Sequence, residues 1–147
     1  MPDMLAGQCL CGAVAYRVKA VVLAFYYCEC VPCRKTTGSS AATNLKVAPV
    51  PIAWHRGADL VRLYRDRHGR HFSKAFCTIC GAGLPYISRD GNALIVPAGS
   101  LDGPPPMAVG HRQFAAERPD WATLDHELPA YRGFAPTTDN GAQDVSS

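Results

Sequence analysis

Hydrophobic and polar positions alternate over short runs along most of this chain. Val14, Tyr16 and Val18 fall at every second position of 13–18, which predicts a strand with one buried face. Residues 21–27 and 41–47 predict two more strands, with Pro49-Val50-Pro51 forcing a non-helical connection after the second. Further extended segments are expected at 60–64, 71–76, 84–88, 93–98, 107–109 and 111–114. A short helical turn is expected at 34–38, broken by Thr37-Gly38-Ser39-Ser40. Twelve prolines and thirteen glycines leave little room for long helices, and no stretch sustains a 3.6-residue period. The expected fold is mainly β, with short antiparallel strands and few helical turns.

A chain of 147 residues fits one domain, and 48% apolar with 18% charged residues suits a globular one. Residues 1–134 are expected to form that domain. Residues 135–147 are polar and poor in large apolar groups, so a disordered tail is expected there. The first residues lack the basic start and apolar centre of a secretion signal. The longest nearly apolar run, 20–28, is far short of the ~20 residues of a membrane helix. These features predict a soluble cytoplasmic protein with reduced thiols and no membrane partner.

The cysteines change this picture. All seven lie in clusters: Cys9 and Cys11; Cys28, Cys30 and Cys33; Cys77 and Cys80. Four thiolates close a tetrahedral zinc site, whereas three leave one position open. Seven therefore divide into four plus three: two separated pairs that staple distant segments, and one tight local triple. An extended chain would set the side chains of Cys9 and Cys11 on one side. Cys77-Thr78-Ile79-Cys80-Gly81 has the form of a zinc-knuckle turn. Seven thiolates around two Zn²⁺ ions would bring the formal charge of +3 to about zero, which weakens the case for nucleic acid.

With these motifs in place, the chain resembles the glutathione-dependent formaldehyde-activating enzyme family. The resemblance rests on Gly7-x-Cys9-x-Cys11-Gly12, on Cys28-x-Cys30-x-x-Cys33-Arg34-Lys35 and on Phe76-Cys77-x-x-Cys80-Gly81. It extends to Pro97-Ala98-Gly99-Ser100-Leu101-Asp102 and to the segment from Trp121 to Pro129, covering roughly residues 5–131. Members are S-(hydroxymethyl)glutathione synthases, and the domain recurs in centromere protein V. The resemblance implies a β-tent of antiparallel sheets with two zinc ions. Cys9, Cys11, Cys77 and Cys80 correspond to the structural site, and Cys28, Cys30 and Cys33 to the catalytic one. The implied activity is that of a carbon–sulfur lyase joining glutathione and formaldehyde, or separating them. Where the family commonly has histidine between the first two central cysteines this chain has Glu29, a carboxylate that adds negative charge beside the site.

Arg34 and Lys35 are candidates to hold a glutathione carboxylate, and Tyr27 to line the pocket. Two other readings of the cysteines are a glutathione carrier and a zinc-binding interaction module without catalysis. Cys30-Val31-Pro32-Cys33 also has the C-x-P-C form of a redox site, but without the helices of that context. Arg62, Arg65, Arg67 and Arg70, with Tyr64 among them, read as a solvated strand face rather than a nucleic-acid site. His68 and His71 form an H-x-x-H that a complete cysteine set does not require. Trp54 and Trp121 are expected to be packing residues.

Overall fold

The period of two at Val14, Tyr16 and Val18 places all three in the core, each at most 1% exposed. The computed structural model describes residues 1–68, 70–122 and 128–137. Its strands are β1 (Asp3–Gln8), β2 (Ala15–Ala20), β3 (Val22–Cys28), β4 (Ala42–Val47), β5 (Ala53–Arg56) and β6 (Val61–Arg65), followed by β7 (Ser73–Cys77), β8 (Gly83–Leu84), β9 (Tyr86–Ile87), β10 (Leu94–Pro97) and β11 (His111–Gln113). One α-helix, α1 (Val31–Thr37), and three single 3₁₀ turns complete the described elements.

The strands form three sheets: β1-β2-β5, β11-β3-β4-β10-β9 and β6-β7-β8. The expected antiparallel pairing holds for every strand pair but one, since β11 runs parallel to β3. Leu5, Tyr16 and Val18 meet Leu45, Val47, Leu94 and Val96 in the principal core. A smaller cluster gathers Tyr26, Cys28, Cys30, Cys33 and Ala42. In β3, Phe25 packs into the principal core and Tyr26, on the opposite face, into the smaller cluster, while Leu23 is exposed. The register Tyr26↔Asn44 and Cys28↔Ala42 brings β4 alongside the central cysteines.

Three expectations are corrected. Residues 107–109 form no strand, since the glycine and three consecutive prolines before them keep the segment irregular. Residues 9–12 are a turn rather than an extended run: Gly12 N–H donates to Cys9 O and Cys9 N–H to Val14 O. The helix starts at Val31 rather than Arg34, because the Cys30 sulfur caps it and proline suits its first turn. β1 and β5 were not anticipated. Trp54 packs edge-on against Tyr16 at 6.2 Å, as expected of a packing residue, whereas Trp121 is 66% exposed. Residues 123–127 of the segment 121–129, and 138–147 of the expected tail, lie outside the described residues. No helix among the described residues is long and apolar enough to cross a membrane.

Candidate metal centres and the adjoining cleft

The structure gathers the cysteines into the two groups that their spacing predicts. Cys9, Cys11, Cys77 and Cys80 form one, and Cys28, Cys30 and Cys33 the other; within each group the sulfurs lie within 4.8 Å of one another. Tetrahedral Zn–S bonds of about 2.3 Å set sulfurs about 3.8 Å apart. The distances Cys9–Cys11 of 3.6 Å and Cys11–Cys77 of 3.9 Å bracket that spacing. Both groups thus suit a soft, thiolate-bound ion such as zinc.

The four-cysteine group is built from two turns that resemble each other. Cys9 follows β1, Cys77 ends β7, and each is held by a backbone hydrogen bond closing its turn. Gly12 and Gly81 adopt left-handed φ of 77° and 76°, a conformation in which a side chain would be strained. Val14 N–H donates to Cys9 Sγ at 3.3 Å and Ile79 N–H to Cys77 Sγ at 3.4 Å. At Cys9 the Val14 donor favours the thiolate over the thiol. Backbone donors from Cys11 and Ala82 bring Cys80 down to about 6. This group joins β1 to the β6-β7-β8 sheet.

The central group forms at a change of backbone state. Cys28 ends β3 on the same face as Tyr26, Cys30 is extended at φ −65° and ψ 154°, and Cys33 lies in the first turn of α1. The two extended steps followed by a helical turn converge three sulfurs on one point. Cys33 N–H donates to Cys30 Sγ at 3.3 Å, so this sulfur is both candidate ligand and helix cap. Gly38, left-handed at φ 69°, ends the helix with its N–H on Arg34 O. A hydrogen bond from Cys33 draws the Cys28 thiol down to about 6, while Cys33 is pushed far above the ordinary thiol range by the same contact and by burial. Ligation of an ion would require all three as thiolates, and of them only Cys28 is drawn toward that form by its protein neighbours.

Glu29 does not load the site with free charge. It is 5% exposed and accepts two hydrogen bonds from Arg112 on β11, chiefly through which its carboxyl is held below the usual range. The negative charge that Glu29 adds beside the site is thereby offset by Arg112.

All three central cysteines line a cleft of about 350 Å³. Tyr26, Phe72 and Tyr86 supply aromatic surface to its walls, and Arg70, His71 and Arg89 supply basic groups. Arg70 is fixed from two sides: its Nη1 meets Glu117 Oε2 at 2.7 Å, and its guanidinium lies 4.7 Å from the centre of the Phe114 ring. Phe114 adopts a left-handed φ of 53° at the turn that presents its ring to Arg70. Tyr27, Arg34 and Lys35 are not among the residues lining this cleft. The strand period turns Tyr26 to the cysteines and Tyr27 away. Lys35 is exposed, and Arg34 is half-buried on α1.

Sequence reasoning did not single out Tyr26, Phe72, Tyr86 or Arg89. The only available signal was the position of Tyr26 two residues before Cys28. His71, set aside as a surplus metal ligand, lies at the cleft. Arg62, Tyr64, Arg65 and Arg67 are exposed on and beside β6, as a solvated face requires, whereas Arg70 of the same run lines the cleft.

Residues 4–117 match the family described as Glutathione-dependent formaldehyde-activating enzyme. A Halomonas elongata protein named "Putative glutathione-dependent formaldehyde-activating enzyme" is 30% identical over 129 residues, spanning 83% of this chain and 82% of that protein. A crystal structure of a Rhodobacter sphaeroides protein superposes with a TM-score of 0.57 at 24% identity, covering 74% of this chain and 100% of that one; at this identity the likeness concerns the fold. The cysteine clusters, the three sheets and these matches agree: the chain belongs to the glutathione-dependent formaldehyde-activating enzyme family.

Proposed function

We propose that the protein is a zinc-dependent, glutathione-linked carbon–sulfur lyase that forms or cleaves S-(hydroxymethyl)glutathione. The observation that carries this reading is the opening of three clustered, buried thiols onto a cleft with basic groups in its walls. Cys9, Cys11, Cys77 and Cys80 would hold a structural zinc, and Cys28, Cys30 and Cys33 a catalytic one. Zinc held there by three thiolates would favour the thiolate form of an incoming thiol.

The chain's own residues do the rest. Arg70 and Arg89 meet the carboxylates of the tripeptide, and Tyr26, Phe72 and Tyr86 exclude water from the reacting sulfur. In the forward direction an electron pair on the glutathione sulfur forms the new carbon–sulfur bond. The carbonyl π pair moves to oxygen, and the proton lost by the thiol ends on that oxygen. Cleavage reverses each step.

A glutathione carrier is the second reading. Three thiolates place −3 against the +2 of the ion, which makes zinc a weak Lewis acid and favours holding the thiol over activating a carbonyl. Titration of zinc-loaded protein with glutathione and with S-methylglutathione tests both readings, followed by hemithioacetal formation measured against the spontaneous rate. The lyase reading expects thiol-dependent binding and acceleration. Binding without acceleration would leave the carrier, and no binding at millimolar glutathione would sink both.

A further inference from the structure

The central cleft has a neighbour with which it shares a wall at Asn44. A second cleft, of about 530 Å³, has Thr36, Thr37, Lys74 and Pro97 in its walls. Between the two lies a chamber of about 20 Å³ bounded by Cys33, Asn44, Phe72, Ser73, Lys74 and Tyr86. Cys33, Phe72, Ser73 and Tyr86 also line the central cleft, Lys74 also lines the second, and Asn44 lines all three. The chamber thus shares walls with both clefts, a neck bordered by Cys33 of the central thiols.

Two properties of the neck point to its occupant. A water molecule needs roughly 10–15 Å³, so the chamber has room for one molecule little larger than water. Its wall also holds an unmade hydrogen bond: Ser73 is 3% exposed, and its Oγ has no hydrogen-bond partner among the described residues. A buried hydroxyl left in this state is costly, and it calls for a partner such as a water, an ion or a ligand. Lys74, half-buried, adds an amine to the same wall, its pKa lowered by burial.

We propose that this chamber is the subsite for a one-carbon carbonyl compound, and that the Ser73 hydroxyl donates the hydrogen bond to its oxygen. The proposal rests on the lyase reading for its chemistry but not for its binding. As the glutathione sulfur donates its pair to the carbonyl carbon, the π pair moves onto the oxygen facing Ser73. The thiol proton ends on that oxygen, and Ser73 keeps its own proton throughout. A carbonyl compound of four heavy atoms would overfill the neck, so selection against carbonyls larger than formamide resides here.

The test uses zinc-loaded full-length protein and formamide, an unreactive one-carbon carbonyl. Saturation-transfer NMR should detect saturable formamide binding to the wild type, weakened at least tenfold in Ser73→Ala; acetamide, one methyl larger, should not bind the wild type. The variant should melt at the same temperature as wild type or higher, since it removes an unsatisfied hydroxyl. Should Ser73→Ala fail to fold, the formamide–acetamide contrast on the wild type still decides the matter. Absent formamide binding, equal binding in Ser73→Ala, or equal binding of acetamide overturns the chamber whatever the enzyme does to glutathione. Where the wild type accelerates hemithioacetal formation, Ser73→Ala should lower kcat/KM for formaldehyde at least tenfold while the Kd for glutathione stays within about twofold. A parallel loss of glutathione affinity would assign Ser73 to the thiol site and overturn the proposal. A wild type that binds formamide through Ser73 yet does not accelerate the reaction would refute the lyase reading alone.

Discussion

Glu29 and Arg112 form a two-pronged ion pair across 83 residues of sequence: Nε donates to Oε1 at 2.8 Å and Nη2 to Oε2 at 3.1 Å. Beside it, Glu29 N–H donates to Gln113 O at 2.9 Å. The residue between the first two central cysteines is thus anchored through both side chain and backbone to β11. Removing Arg112 strands a buried carboxylate, which is more damaging than removing the whole pair. Arg112→Met should lower Tm by roughly 5 °C or more. Adding Glu29→Gln should recover part of the loss, and thermal melts of the two singles and the double measure that coupling. Additive losses would show that the pair is not coupled.

The four-cysteine group joins β1 to β7 and the turn after it, so its ion is expected to contribute folding free energy. Structural zinc in small domains binds with about 10–16 kcal/mol, more than the margin by which most domains fold. Cys77→Ser should therefore abolish cooperative unfolding. A soluble Cys77→Ser protein that melts like wild type without zinc would refute the assignment.

The central group behaves differently because its three sulfurs come from one loop. Cys30 caps α1, and serine is a good substitute in that position. Cys30→Ser should lose about one zinc equivalent by metal analysis yet keep its circular dichroism. Loss of both ions would mean that the two sites are not independent.

Arg89 stands in the wall of the cleft, with Nη1 donating to Asp66 O at 2.9 Å. If it meets a glutathione carboxylate, Arg89→Met should weaken glutathione about three- to tenfold, the range of a partly screened charge contact. Lys35→Met, outside the cleft, should leave affinity unchanged. Calorimetric titration of both variants separates the cleft from the helix surface.

Burial pushes the Tyr16 phenol up to about 12, against the lowering effect of its hydrogen bond with Ser100. A raised folded-state pKa contributes stability that is complete below the usual value near 10. That contribution is lost as pH rises from about 10 to about 12. Wild-type protein should lose stability through this window, and Tyr16→Phe should flatten the loss. The substitution itself should cost about 1 kcal/mol at neutral pH through the missing hydrogen bond. Denaturant melts at stepped alkaline pH provide the check.

The cysteine partition was legible because ligand spacing is local, and chelation leaves few alternatives for seven thiols in three clusters. The strand at Ala15–Ala20 was legible from its large side chains. β1 was not, because Ala6 and Gly7 interrupt its pattern with residues too small to mark a face. The close packing is nevertheless real: a Cβ on Gly7 would lie 2.5 Å from the Tyr16 hydroxyl oxygen. The turn at 9–12 was misread because period-two spacing alone does not distinguish a strand from a knuckle. The cleft was least legible of all. Cys28, Phe72, Arg89 and Gln113 meet only through tertiary structure, and no local pattern records which loops will converge.

The parallel strand β11 gives the site an order of assembly. All seven cysteines lie within the first 80 residues, while Arg112, Gln113, Phe114 and Glu117 come from a segment made later. A nascent chain therefore exposes every thiol before it possesses the strand that anchors Glu29 or the carboxylate that fixes Arg70. Metal capture can precede completion of the pocket. A message truncated after codon 110 would yield a chain with its whole complement of thiols but with one wall of the cleft missing. Metal content alone would then be a poor measure of intact protein, and binding at the cleft the better one.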